Sequence, residues 1–185
     1  LANLKTKGFI MAAVMTAILI VLGLFPPIPL GLIPVPIVLQ NIGVMISGEL
    51  LGPKYGTISI IIFYLLIILG MPVLSGSRGG IIVFLGPTCG YLISWLLTPI
   101  FIGYFVKYLN KKNKNSWWKE FLIVCLFGIL STYFIGSLVL AYQSHTSFIT
   151  IFISNLFFVP TDLIKAALST FIARRLRQHT HMFII

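Results

Sequence analysis

The sequence predicts an all-α integral membrane protein with six transmembrane helices and structured apolar outer loops. Three observations carry that prediction. The 185 residues are 58% hydrophobic and only 9% charged, against roughly 25% charged in a soluble domain. The apolar residues fall in runs near the length of about 20 that a bilayer-spanning helix needs. The positive residues, which give a net charge of +10, cluster in short patches between those runs. Such a distribution is a topology signal, so the basicity argues against a nucleic-acid partner. About six spans fill the chain, which is read as one membrane domain over 1–185.

The first span is expected at about 8–24. Lys5 and Lys7 precede it, but no small-residue cleavage site follows, so it is read as a helix and not a removable signal. Next, "FPPIPLGLIPVPI" holds five of the ten prolines and no charge. Proline lacks the amide donor and clashes with the preceding turn, so this segment cannot be regular helix. The second span, about 37–51, ends at Gly52 and Pro53, and the third, about 55–71, ends near Gly70 and Pro72. The loop "VLSGSRGG" leads into a fourth span at about 82–106. "KYLNKKNKNSWWKE" is an aqueous loop whose tryptophans suit an interface. The fifth span is placed at about 121–141 and the sixth at about 160–176, its start drawn in part from residues before Pro160.

With the N-terminus inside, cytoplasmic segments hold Lys5, Lys7, Lys54, Lys107, Lys111, Lys112, Lys114, Lys119, Arg174, Arg175 and Arg177, while the external side holds Arg78 alone. Eleven against one places both termini in the cytoplasm. The outer loops are oily, irregular and rich in proline and glycine. Backbone of that kind is tolerated at membrane depth where it is buried in protein or lines a cavity, so these loops are expected to fold over the outer end of the bundle. The alternative is short loops lying among the lipid headgroups.

Asp162 and Lys165 are the chain's conspicuous anomaly. Three residues apart, they share a helix face. Pro160 suits a first turn, which puts Asp162 near a helix N-terminus and the outer surface. Two charges at mid-depth cost roughly 5–7 kcal/mol, and each Leu, Ile or Phe returns only about 0.3–0.6. The pair must therefore be shallow, face protein, or line a watery cavity. As structure alone, the aspartate complements the helix dipole and the lysine snorkels; as function, such pairs mark substrate paths. Arg78, flanked in "SGSRGG" by glycines that let the backbone approach a ligand closely, either holds that ligand or is a solvated loop residue or lipid-phosphate contact. One aspartate accepting N–H donors and cations able to hold a carboxylate describe a small anionic molecule with an amide-like head.

Four blocks then carry a resemblance: "VPIVLQNIGVMISGELLGPKYGTIS", "LGMPVLSGSRGG", "LGPTCGYL" and "PTDLIKAAL", in that order. Together they resemble the BioY family, the biotin-binding S components of energy-coupling factor (ECF) vitamin transporters. The resemblance implies a six-helix protein of the bacterial cell membrane that captures biotin outside. It implies delivery inward with a membrane coupling protein and two ATP-binding subunits. The chain carries no G-x-x-x-x-G-K-[ST] run, so ATP would be used by a partner. No enzymatic role and no cofactor is expected, biotin being the transported ligand.

Carried over from the family, Asp162 would meet the ureido N–H groups, Lys165 would anchor the ligand, and Arg78 would take the carboxylate. Gln40 would hydrogen-bond the head group or tie down the loop. Tyr91 would pack on the bicyclic ring or belong to the core, with Thr88 nearby, and Asn155 would reach the pocket or bond between helices. Ala13 and Ala17, a small-xxx-small pair, would dock the coupling protein or pack inside the bundle. Two residues depart from the family pattern. Cys89 replaces a usual glycine, narrowing the space there. Glu49 replaces a small residue, and it is read as interfacial, close to Lys54. Cys89 and Cys125 have no metal-ligand spacing and are read as packing residues. A carrier for another vitamin remains a rival. A small enzyme finds no motif here, with His145, His179 and His181 in loop or tail, and a channel finds no selectivity sequence.

Overall fold

The computed structural model describes residues 2–29, 34–112 and 116–179. Residues 30–33 of the proline-rich segment, Lys114 and His181 lie outside the described residues. The fold is all-helical: α1 (Ala2–Gly23), α2 (Gln40–Ile68), α3 (Cys89–Lys111), α4 (Trp117–Val124), α5 (Ser131–Ser144), α6 (Phe148–Ser154) and α7 (Val159–His179). A π-helical stretch, Cys125–Leu130, joins α4 to α5, and a 3₁₀ turn, Asn155–Phe158, joins α6 to α7. Merged in this way, the described residues contain five helical segments long and apolar enough to cross a membrane: Lys5–Gly23, Gln40–Ile68, Cys89–Lys111, Trp117–Ser144 and Phe148–Gln178. The molecule is a multi-pass membrane protein.

Five segments, not six, follow from one residue. Gly52 interrupts α2 with φ 71° and ψ −175°, a conformation essentially reserved for glycine. Contacts with α1 show what the break does. Leu19 and Leu22 of α1 lie over Gly43 and Gly23 lies against the Gln40 side chain, whereas the Thr16 hydroxyl donates to the Ser59 carbonyl at 3.0 Å. Near the start of α1, Gly8 lies against the Tyr55 ring. Moving up α1 thus meets the first arm of α2 in descending order and the second in ascending order, so the chain reverses at Gly52. The two arms take up the stretch that was expected to hold the second and third spans. α3 closes against the reversal, with Gly103 pressed on the backbone of Gly52 and Pro53.

Other boundaries differ for local reasons. Residues 82–88 are not membrane helix: a 3₁₀ turn, Ile81–Phe84, and the Gly86–Pro87 turn precede α3, because proline cannot supply the amide of a helix interior. The last helical segment starts at Phe148, a full fourteen residues before Asp162. Asp162 itself lies in the first turn of α7, as expected, and is buried, 4% exposed. Of the placements open to the pair, facing protein is the one observed.

Glu49 is also corrected. It is fully buried, 0% exposed, and accepts a hydrogen bond from Ser169 of α7. Lys54 is exposed and lies over the Tyr55 ring instead. Glu120 of α4 receives Arg174 and Arg177 of α7, clamping the two elements at the end of the bundle that gathers Lys5, Lys54, Lys107 and Lys111. Outward faces carry large exposed apolar side chains such as Phe9, Val14, Ile18, Leu65 and Phe171, as contact with lipid requires.

Candidate functional site

Two adjoining cavities open between the elements at the end opposite the basic residues. Their common wall is made by Val35, Pro36 and Val38 of the proline-rich segment and by Tyr91 and Trp95 of α3. The ends of that segment are held together by a short antiparallel bridge, with Ile28 and Ile37 exchanging backbone hydrogen bonds of 3.0 and 2.9 Å. Bridging lets an irregular, proline-rich backbone satisfy its polar groups while presenting valine and proline to the interior.

The first cavity reaches Asp162 and Lys165 and is also lined by Asn41, Thr132, Tyr133 and Phe158. Lys165 Nζ donates to Asp162 Oδ1 at 2.7 Å, and the Tyr133 hydroxyl donates to Oδ2 at 2.6 Å. Two of the carboxylate's roughly four acceptor positions and two of the ammonium's three donors are left for a ligand. The π-helical stretch ends just before Thr132 and Tyr133 and so sets their angular position. Thr98 of α3 and Ser131 both donate to the Phe127 carbonyl inside it, at 3.2 and 2.6 Å. Such wide turns occur often at functional sites.

The second cavity reaches Arg78, Thr88 and Gln40. Arg78 is held by paired backbone hydrogen bonds with Leu74 and by its Nε, which donates to the Ser75 carbonyl at 3.2 Å. Half-burial lowers its guanidinium pKa from the ordinary value. The group nevertheless stays a cation, poorly hydrated and ready for an anion.

Gln40 lines this cavity, but its amide is already consumed. Nε2 donates to the Leu19 and Val73 carbonyls, both at 3.0 Å, and Oε1 accepts from the Ser75 amide and hydroxyl at 3.0 and 3.3 Å. The geometry is that of a tie: Gln40 holds Ser75, and Ser75 holds Arg78. A Gln40→Leu substitution strips the partners from two carbonyls and a backbone amide. At about 1–3 kcal/mol for each buried group left unpaired, thermal unfolding should show a loss of several kcal/mol, and hydrogen exchange at Ser75 should accelerate. Unchanged exchange there would mean that the loop does not depend on this amide.

Asn155 likewise lies behind the cavities. Its Nδ2 donates to Ser137 and to the Ile151 carbonyl, and its Oδ1 accepts from the Tyr91 hydroxyl at 2.9 Å. It fixes the tilt of the Tyr91 ring, which faces both cavities. Thr88 faces the second cavity. Cys89 lines neither. Ala13 and Ala17 lie exposed on α1, on the face turned away from the bundle, beside Val14 and Ile18.

Sequence reasoning missed Tyr133, Trp95 and Asn41. Tyr133 is separated from Asp162 by twenty-nine positions, and nothing in "GILSTYFIG" distinguishes it from a core tyrosine. Asn41 had one signal, its place beside Gln40. Its amide makes no hydrogen bond with the described residues, although the residue is buried and lines the first cavity.

The family model described as the BioY family matches residues 2–182. The chain belongs to the BioY family. Among its BioY relatives, the biotin transporter BioY of Lactococcus lactis subsp. cremoris is 51% identical over 176 residues, covering 95% of this chain and 93% of that protein. The biotin transporter BioY of Rhizobium etli is 37% identical, covering 92% and 93%. A solved structure described as the S-component for biotin from an ECF-type ABC transporter superposes with a TM-score of 0.91 at 50% identity, covering 96% of this chain and 94% of its own.

Proposed function

We propose that this protein is the biotin-capturing S component of an ECF-type uptake transporter. The carrying observation is the pair of cavities sharing a Tyr91–Trp95 wall, with the Asp162–Lys165–Tyr133 cluster at one end and Arg78 at the other. This polarity suits a molecule with an N–H-bearing head, an apolar middle and a terminal carboxylate. Asp162 accepts from the ureido N–H groups, Lys165 donates to the ureido oxygen, Tyr91 and Trp95 flank the ring system, and Arg78 takes the carboxylate with Thr88 beside it. Gln40 and Asn155 act as positioning residues behind Arg78 and Tyr91. Asn41 adds a free amide at the head-group end.

We also assign six membrane crossings, counting the two arms of α2 separately, with both termini cytoplasmic. The first arm, about 18 Å long at 1.5 Å per residue, is completed across the bilayer by the extended residues before it. The grouping of basic residues at one end supports the orientation. The cavities then open toward the outside of a bacterial plasma membrane. Ala13 and Ala17, exposed on the face of α1 away from the bundle, are the docking surface for a membrane coupling protein, and two ATP-binding subunits supply the energy.

Equilibrium binding to the purified protein tests the ligand assignment. Biotin should bind tightly and unlabelled competing vitamins should not displace it. Arg78→Ala removes a charge-assisted contact of about 1.5–3 kcal/mol, a loss of roughly tenfold to a hundredfold. The neutral amide of biotin should lose little from the same substitution. Equal losses for acid and amide would remove Arg78 from the carboxylate, and failure of the parent protein to bind would remove biotin.

A further inference from the structure

Below the ligand cavities, α7 continues from Lys165 to Ser169 and Thr170 and meets the first arm of α2 at Glu49. This joint has an unusual polar inventory. Glu49 is fully buried, and the Ser169 hydroxyl donates to its Oε2. Among the described residues its Oε1 makes no hydrogen bond of good geometry, nor does the buried Thr170 hydroxyl, which lies close enough to the same carboxyl to bond it. The charged groups bearing on it are Glu120 of α4 and Arg177 of α7. They form an ion pair with one another, to which Arg174 also contributes. The chain has three acidic residues in all. Asp162 has Lys165, Glu120 has two arginines, and Glu49 forms no salt bridge with the described residues.

We infer that Glu49 is a proton-binding site: it carries a proton on Oε1 and donates it to the Thr170 hydroxyl oxygen. With Oε1 protonated the carboxyl donates to the Thr170 hydroxyl oxygen; without that proton the Thr170 hydroxyl would have to donate to a carboxylate held out of water. An ionised carboxylate withdrawn from water, with neutral hydroxyls beside it and no paired cation among the described residues, would carry a heavy desolvation cost. A metal cation in its place would need several further oxygen ligands, whereas the joint offers two unpartnered ones. The α2–α7 contact between the ligand cavities and the basic end of the bundle is therefore an uncharged, doubly hydrogen-bonded joint on the helix that carries Asp162 and Lys165.

Infrared spectroscopy of the full-length, ligand-free protein at neutral pH, in a detergent without carboxyl groups, tests this directly. With three acids in the chain, assignment is simple. A protonated-carboxyl C=O band should be present and should vanish in Glu49→Gln, which keeps the shape and hydrogen-bonding pattern and should retain the thermal midpoint. Thr170→Val, which removes the acceptor, should shift the band to the frequency of a more weakly bonded acid. It provides the test if Glu49→Gln folds poorly. Absence of the band in the parent protein, or its persistence unchanged in Glu49→Gln, would overturn the proton. A band unmoved in Thr170→Val would overturn Thr170 as its partner.

Discussion

Asp162→Ala is expected to abolish biotin binding and to destabilise the bundle at once. The substitution leaves the Lys165 ammonium buried without its partner at 2.7 Å and removes the acceptor of the Tyr133 hydroxyl. Breaking a buried pair from one side costs about 3–5 kcal/mol. That loss by itself would make a binding defect ambiguous. The double variant Asp162→Leu/Lys165→Met separates the two effects, because replacing both charges by apolar groups of similar volume is often neutral or stabilising. Its thermal midpoint should return to that of the parent or above it, while biotin affinity stays at least about a hundredfold weaker, from two lost charge-assisted contacts of about 1.5–3 kcal/mol each. Recovery of binding together with stability would leave the pair a purely structural feature.

The second large effect lies far from the cavities, at the reversal of α2. Gly52 sits at φ 71°, ψ −175°, and Gly52→Ala should cost about 1–3 kcal/mol in backbone strain. Gly103→Ala should be comparably damaging by another route. A methyl there would lie 2.4 Å from the Pro53 nitrogen and 2.5 Å from the Gly52 carbonyl carbon, which are backbone atoms that cannot rotate aside. Overpacking of this kind costs about 1–3 kcal/mol. The two substitutions touch the same turn, so their combined loss in thermal unfolding should be non-additive. Pro53→Ala, which needs no change of backbone conformation, should be mild. A Gly52→Ala protein as stable as the parent would mean that the chain does not reverse through this residue.

Neither effect is local to one element, and that is a property of how membrane bundles are assembled. Close approach of helices depends on small residues at the contacts, and buried charges depend on partners from other helices. A substitution at either kind of site propagates through the elements that it joins.

How much of this was legible beforehand can be judged residue by residue. Composition and the length of the apolar runs determined a multi-pass helical membrane protein, because a bilayer leaves the backbone no other way to satisfy its polar groups over such lengths. The boundary at Gly52 and the irregular proline-rich segment were visible as well, since proline and glycine act on the backbone locally. Asp162, Lys165 and Arg78 stood out because a charge in an apolar chain is expensive wherever it falls. What tertiary structure decided was partnership and depth. It showed that helical chain precedes Pro160, that Asp162 and Lys165 are buried in protein, that Tyr133 reaches across from α5, that the Gln40 amide is spent on the Arg78 loop, and that Glu49 is buried against α7 instead of lying at the surface. Hydropathy records the cost of burying a group, but the hydrogen bond that offsets that cost comes from a residue tens of positions away, brought there only by packing.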